Sequence, residues 1–155
     1  MSMSTPVAST DAAKARVPAV DGWFTLDDDP HLLGSQCPRC GTFTFPPARL
    51  GCPNPTCAET ELATVPLSTR GVVWSFTDNR YAPPAPYVAP DPFVPYTVAA
   101  VELAVEKLVV LGQVDGDASS LAVGDPVELV IATLYEDDDH DYVVWKWRPV
   151  EGAPR

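Results

Sequence analysis

The chain has no cysteine outside the segment Cys37–Cys57, no apolar run long enough to cross a membrane, and few cations. Each shortage excludes something. A membrane-spanning helix needs about 20 mostly apolar residues in a row, and no such stretch occurs. Ten Lys and Arg stand against 21 Asp and Glu, a formal net charge of −11 over 155 residues. Polyanion binding depends on cationic side chains that displace counterions, so no nucleic-acid ligand is expected. Residues 1–20 are small and polar, with Lys14 and Arg16 late in the stretch. They lack the apolar block of a signal peptide and are expected to form a disordered leader. Without an export signal, a cytoplasmic protein with reduced thiols is expected. The two histidines, His31 and His140, are tied by nothing in the sequence to a serine or cysteine, so no catalytic residue is predicted.

What is present is informative. Cys37-Pro38-Arg39-Cys40-Gly41 is followed by Cys52 and then Cys57 across Pro53-Asn54-Pro55-Thr56. Two close pairs joined by a short arm place four thiolates where one tetrahedral Zn²⁺ takes all of them. Pro38 stiffens the first knuckle, and Gly41 lets the backbone turn back toward sulfur. The predicted metal ligands are therefore Cys37, Cys40, Cys52 and Cys57, with iron as the alternative ion and a pair of disulfides as the competing reading. Four thiolates leave no open coordination position, so the metal is expected to be structural. Its role would be to fix a ribbon too small to bury its own core.

Eighteen prolines make long helices scarce and extended segments common. Residues 21–33 group Trp23, Phe24, Leu26, Leu32 and Leu33 around Asp27-Asp28-Asp29, as a short helix or a packed arm. Residues 32–45 read as a zinc hairpin and 61–67 as a connector strand. Residues 70–78 alternate, with Val72, Trp74 and Phe76 on one face and Val73, Ser75 and Thr77 on the other, the pattern of a half-buried strand. The proline-rich stretch 81–95 reads as a stiffened loop. Strands are predicted at 96–103 and 108–114 around a turn at 104–107. A further turn at 115–117 leads to a single helical turn at 121–125 closed by Gly124. The last two strands, at 126–135 and 142–148, flank an acidic loop. Five strands after the ribbon suit a small closed barrel, which leaves no exposed edge. The predicted fold is all-β: a leader at 1–20, an arm and zinc ribbon at 21–67, a five-stranded OB-like barrel at 68–150 and a tail at 151–155.

Several groups invite a functional reading. The acidic runs 27–29 and 136–139 lack the spacing and turn glycine of a calcium loop and read as solvated charge, or as a match for a basic partner. Tyr81, Tyr87 and Phe93 sit between prolines in a loop longer than inert loops usually are, which points to binding. Val143, Trp145 and Trp147 share one face of the last strand, and Tyr142, Val144 and Lys146 the other. One face must fill the barrel, and the other is either covered or an interface. Arg39, Arg49, Arg70 and Arg80 are the candidates for a phosphate contact.

Taken in order, LGSQCPRCG (33–41), FPPAR (45–49), GVVWSFT (71–77), PYTVAAVEL (95–103), GDPVE (124–128) and WRP (147–149) resemble the acyl-CoA-associated family that joins a rubredoxin-type zinc ribbon to an OB-fold. The resemblance covers residues 23–149. One departure is the second knuckle, with four residues between its cysteines where family members usually have two. The resemblance implies a non-catalytic accessory subunit that pairs with a thiolase-superfamily, lipid-transfer-protein-type enzyme, or with an acyl-CoA hydratase domain. YVAPDPFVPY (87–96) and the following 102–112 look most like the version that accompanies bacterial steroid side-chain breakdown. There the partner acts as a retro-aldolase, releasing a 17-keto steroid and propionyl-CoA. A free-standing acyl-CoA carrier and a nucleic-acid-binding OB protein are the other functions this fold would serve.

Overall fold

The computed structural model describes residues 13–151. Among these there are nine strands and no helix: β1 (Ala15–Pro18), β2 (Leu33–Gln36), β3 (Phe43–Thr44), β4 (Ala63–Pro66), β5 (Arg70–Asn79), β6 (Tyr96–Leu103), β7 (Val109–Val114), β8 (Pro126–Glu136) and β9 (His140–Pro149). They form two sheets. The ribbon sheet has three strands in the order β3-β2-β4, both pairings antiparallel. The larger sheet closes on itself. β5 pairs with β6, β6 with β7, β7 runs parallel to β9, β9 pairs with β8, and β8 returns to β5 through Arg70–Val72. That circuit is an OB barrel, and closure satisfies the backbone groups a flat sheet would leave open.

The barrel is filled by alternate residues of each strand, as the two-residue period of a strand requires. Val73, Ala99, Val101, Leu103, Val110, Val127, Leu129, Val143, Trp145 and Trp147 are all buried. Gly112 makes room for the two indoles. A Cβ there would lie 2.8 Å from Trp147 Cδ1 and 3.1 Å from Trp145 Nε1. The face of β9 that carries these tryptophans therefore fills the barrel, and Tyr142, Val144 and Lys146 on the other face are half-buried.

Three sequence expectations change. The leader expectation falls partly outside the described residues, at 1–12, but Ala15–Pro18 is a strand. It runs parallel to β9 from His140 to Val143, along the part of that edge β7 does not reach. Arg16 lies 3.8 Å from Asp141, and Lys14 lies 2.9 Å from Glu136. The expected helical turn at 121–125 is instead a pair of tight turns. Leu121 donates to Ala118, and Asp125 to Ala122, with Gly124 at φ 92°. Gly124 also donates to Val73 O, and Val73 to Asp125 O, so the segment is held against β5 and cannot coil. Finally, β5 does not alternate cleanly. A bulge between Val73 and Ser75 leaves Trp74 without a partner on β6. Phe76 then pairs with buried Ala99, on the side of Val73, while Val72, Ser75 and Thr77 face outward.

Residues 21–33 form the packed arm. Thr25 N donates to His31 O, Leu33 N donates to Trp23 O, and Phe24 bridges Leu32. The acidic run sits at the tip of this small hairpin. Its aromatic residues close the seam between ribbon and barrel. The Trp145 ring centroid lies 5.9 Å from those of Trp23 and Phe24 and 5.6 Å from that of Phe45. The connector between the sheets is tied down as well. Leu67 is buried, its N–H donates to Leu32 O, and Ser68 N donates to the Glu106 carboxylate.

Candidate metal centre

The two knuckles are built by backbone hydrogen bonds that the local sequence permits. In the first, Cys37 N donates to Thr42 O and Gly41 N to Cys37 O. Gly41 sits at φ 77°, where a side chain would be strained. In the second, Cys57 N donates to Asn54 O, and the Asn54 carboxamide oxygen accepts from both the N–H and the hydroxyl of Thr56. This local turn absorbs the two additional residues of the second knuckle, so the unusual spacing leaves the cysteines convergent. Gly51 precedes Cys52 at φ 89°, and a Cβ there would lie 2.8 Å from the Glu59 carbonyl that accepts Cys52 N. Buried Ser35 on β2 accepts a hydrogen bond from Ala48 N, which pins the chain between the knuckles to the ribbon sheet.

The result is four sulfurs within 4.8 Å of one another. Cys37 Sγ lies 3.8 Å from Cys57 Sγ, and Cys40 Sγ lies 3.5 Å from Cys52 Sγ. Four ligands about 2.3 Å from a tetrahedral zinc are separated by about 3.8 Å, so the thiols fit one ion. They are free thiols, far from bonding distance, and the disulfide reading is not met. Their acidities differ. The Thr42 hydroxyl, 3.1 Å from Cys40 Sγ, and the Thr42 N–H hold the Cys40 thiol down to about 6. Desolvation pushes the Cys52 thiol up to about 12. Crowded thiols resist ionising together, and a divalent cation between them removes that resistance.

Of the other residues singled out in the sequence, Arg39 lies within the first knuckle, and both histidines have partners of their own. His31 holds Leu67 O at 3.0 Å through Nδ1 and Asp29 at 3.2 Å through Nε2. The Leu67 carbonyl first, and Asp29 next, favour the doubly protonated ring and raise its pKa above the ordinary histidine value. His140 faces Asp137. Neither ring contacts a serine or cysteine in these interactions. Arg70 pairs with Glu128 and Arg80 with Asp78, while Arg39 and Arg49 are exposed on the ribbon. The 81–95 loop is ordered by aromatics. Tyr87 stacks on Tyr96 at 5.9 Å, and Phe93 meets the same ring edge-on at 6.2 Å.

Comparison with known proteins agrees with this architecture. Residues 25–63 match the family described as ChsH2, rubredoxin-like zinc ribbon domain, and residues 64–132 match ChsH2, C-terminal OB-fold domain. The chain is 33% identical over 110 residues to the benzoylsuccinyl-CoA thiolase subunit BbsA of Thauera aromatica, covering 71% of this chain and 69% of that protein. It is 31% identical over 139 residues to a DUF35 domain-containing scaffold protein of Methanocaldococcus jannaschii, covering 85% and 91% of the two chains. Among solved structures, a chain of the Ltp2-ChsH2(DUF35) aldolase superposes with a TM-score of 0.59 at 28% identity, covering 77% of this chain and 84% of that one. These matches and the thiol cluster together show that the chain belongs to the ChsH2-type DUF35 family, in which a rubredoxin-like zinc ribbon is joined to an OB-fold domain.

Proposed function

We propose that this chain is a non-catalytic accessory subunit that binds and stabilises a thiolase-superfamily, lipid-transfer-protein-type enzyme acting on acyl-CoA. Zinc held by Cys37, Cys40, Cys52 and Cys57 serves the architecture. The observation that carries the reading is the closed thiol set: all four sulfurs converge within 4.8 Å, which leaves a bound ion no position for water or substrate. The acid–base side fits too, because both histidines are engaged with neighbouring carboxylates or carbonyls. Three proteins similar to this chain carry the words thiolase subunit, scaffold protein and aldolase in their names, which supports a partnered role. The finer assignment is a retro-aldolase of steroid side-chain degradation, with an acyl-CoA hydratase domain as a further neighbour and the cytoplasm as the setting.

The test is co-expression with each thiolase-superfamily enzyme of the source genome, followed by size-exclusion chromatography. Co-elution with one of them is expected, together with acyl-CoA turnover by the complex and none by this chain alone. Turnover of a thioester by the isolated chain, or failure to co-elute with every such enzyme, would overturn the proposal. The steroid assignment is checked separately, by supplying the complex with a steroid β-hydroxyacyl-CoA and looking for propionyl-CoA.

A further inference from the structure

The outer wall of the barrel carries an apolar surface that neither the ribbon nor the arm covers. β5, β6 and β7 are adjacent, and the register fixes which residues share their outward side. Ser75 pairs with Ala100 and Ala100 with Leu111. Val72 pairs with Glu102 and Glu102 with Val109. Leu111 is 62% exposed and Val109 45%. The β5 bulge adds Trp74, also 62% exposed. Bulges in edge and site-forming strands commonly re-aim a side chain, and this one presents a tryptophan to solvent.

Beside these residues lies a shallow groove of about 320 Å³, lined by Ser75, Thr77, Tyr96, Val98, Ala100 and Leu111 among others. No residue lining it is ionisable as a carboxylate or cation, although the chain carries 21 Asp and Glu. The charge on this face is confined to one end, where Glu102 stands between Val72 and Val109 with Lys107 3.9 Å away. One end of the groove is walled by the proline-rich loop. Tyr87 and Phe93 pack on Tyr96, and the Gln113 amide nitrogen lies 3.4 Å from the Tyr87 hydroxyl. An apolar centre with a protruding tryptophan, a charged pair at one end and a pre-formed aromatic wall at the other has the anatomy of a protein–protein interface core.

The geometry points to the β5–β6–β7 face, centred on Trp74 and Leu111, as the surface that docks the partner enzyme. The occupant is the thiolase-like subunit, and this step rests on the function proposed above. Its contacting patch should be uncharged and concave enough to receive the Trp74 indole. A second copy of this chain suits the face less well, since two such subunits would bring their net charges of −11 together.

The experiment compares the full chain with Trp74→Ser and Leu111→Ser, each co-expressed with the enzyme that co-elutes with the parent. Leu50→Ser, on a fully exposed ribbon residue, is the control. Circular dichroism and bound zinc verify that each variant is folded. Hot-spot truncations weaken binding by about thirtyfold or more, so Trp74→Ser is expected to abolish co-elution while the control retains it. Parent-like co-elution by both face variants would overturn the docking site and leave the accessory role intact. No co-elution by the parent with any thiolase-superfamily enzyme would remove the accessory role first. Sedimentation of the chain alone reads the remaining outcome: a dimer that Trp74→Ser converts to monomer would assign the face to self-association instead.

Discussion

Trp145 is expected to be the residue whose loss separates the ribbon from the barrel. Its indole is 9% exposed and touches Trp23, Phe24 and Phe45, so it belongs at once to β9, the arm and the end of the zinc hairpin. Its N–H donates to Leu111 O at 2.9 Å, which fixes the ring orientation. Burying a tryptophan removes about 150–250 Å² from water, worth about 4–6 kcal/mol at about 25 cal/mol per Å². Measured large-to-small truncations of this kind cost about 3–5 kcal/mol, so Trp145→Ala should cost about 4 kcal/mol. That is a large share of the roughly 5–15 kcal/mol that holds a domain folded. The assay is urea unfolding of the zinc-loaded protein followed by two probes, zinc release for the ribbon and far-ultraviolet circular dichroism for the barrel. In the parent the two curves should coincide. In Trp145→Ala zinc release should move to lower urea than the loss of strand signal. A double-mutant cycle with Phe45→Ala should return a coupling of about 0.5–1.5 kcal/mol. Coincident curves in the variant with a cost under about 1 kcal/mol would show that the aromatic seam does not join the two sheets.

Three further outcomes are expected. Native mass spectrometry should find one zinc per chain, Cys37→Ser should lose it, and a chelator should melt the ribbon; retained metal in the variant would mean another ligand set. An iron-loaded preparation would declare itself by visible colour. The His31 ring should titrate above the ordinary histidine value of about 6.5 in an NMR pH series, because its two nitrogens face the Leu67 carbonyl and Asp29. A raised folded-state pKa means the contribution is complete below about 6.5 and fades as pH climbs through the folded value. His31→Gln should therefore flatten the pH dependence of stability on the alkaline side of 6.5, and an unchanged slope would refute the assignment. Gly112→Ala should destabilise the fold by about 1–3 kcal/mol through overpacking against Trp145 and Trp147, read as a lower melting temperature, since its Cβ would lie 2.9 Å from Trp147 Nε1. A variant as stable as the parent would show slack between the indoles.

Much of this fold is written locally, and those parts are legible in the sequence. The cysteine pairs declare the ribbon because metal geometry demands them close together. The 96–103 and 108–114 segments declare a hairpin because both are mostly apolar and only four residues, 104–107, separate them. Trp145 and Trp147 share one face because the strand period is two, and the structure shows that this face is the buried one. The parts that escape such reading depend on distant partners. Nothing in Ala15–Pro18 marks a strand, because its hydrogen-bonding edge is supplied by His140–Val143 at the other end of the chain. The 121–125 segment has the composition of a helical turn, yet its backbone is taken by Val73. In β5 the alternation of Val72, Trp74 and Phe76 is real in the sequence, but the bulge resets the phase, and only the pairing with β6 reveals it. Of the thiol cluster, the convergence of four cysteines is evident from spacing. The Thr42 hydroxyl on Cys40 and the Asn54 turn are not, although a Thr two residues after a cysteine and an Asn between prolines were the available hints.

The strand β1 has a practical consequence for anyone preparing this protein. Recombinant versions trimmed at residue 20, where the sequence suggests the ordered part begins, would strip a backbone rail from His140–Val143 and leave a sticky seam. Such material would be prone to join neighbouring molecules through that seam and to precipitate on concentration, whereas versions that keep residue 13 onward retain their own cover.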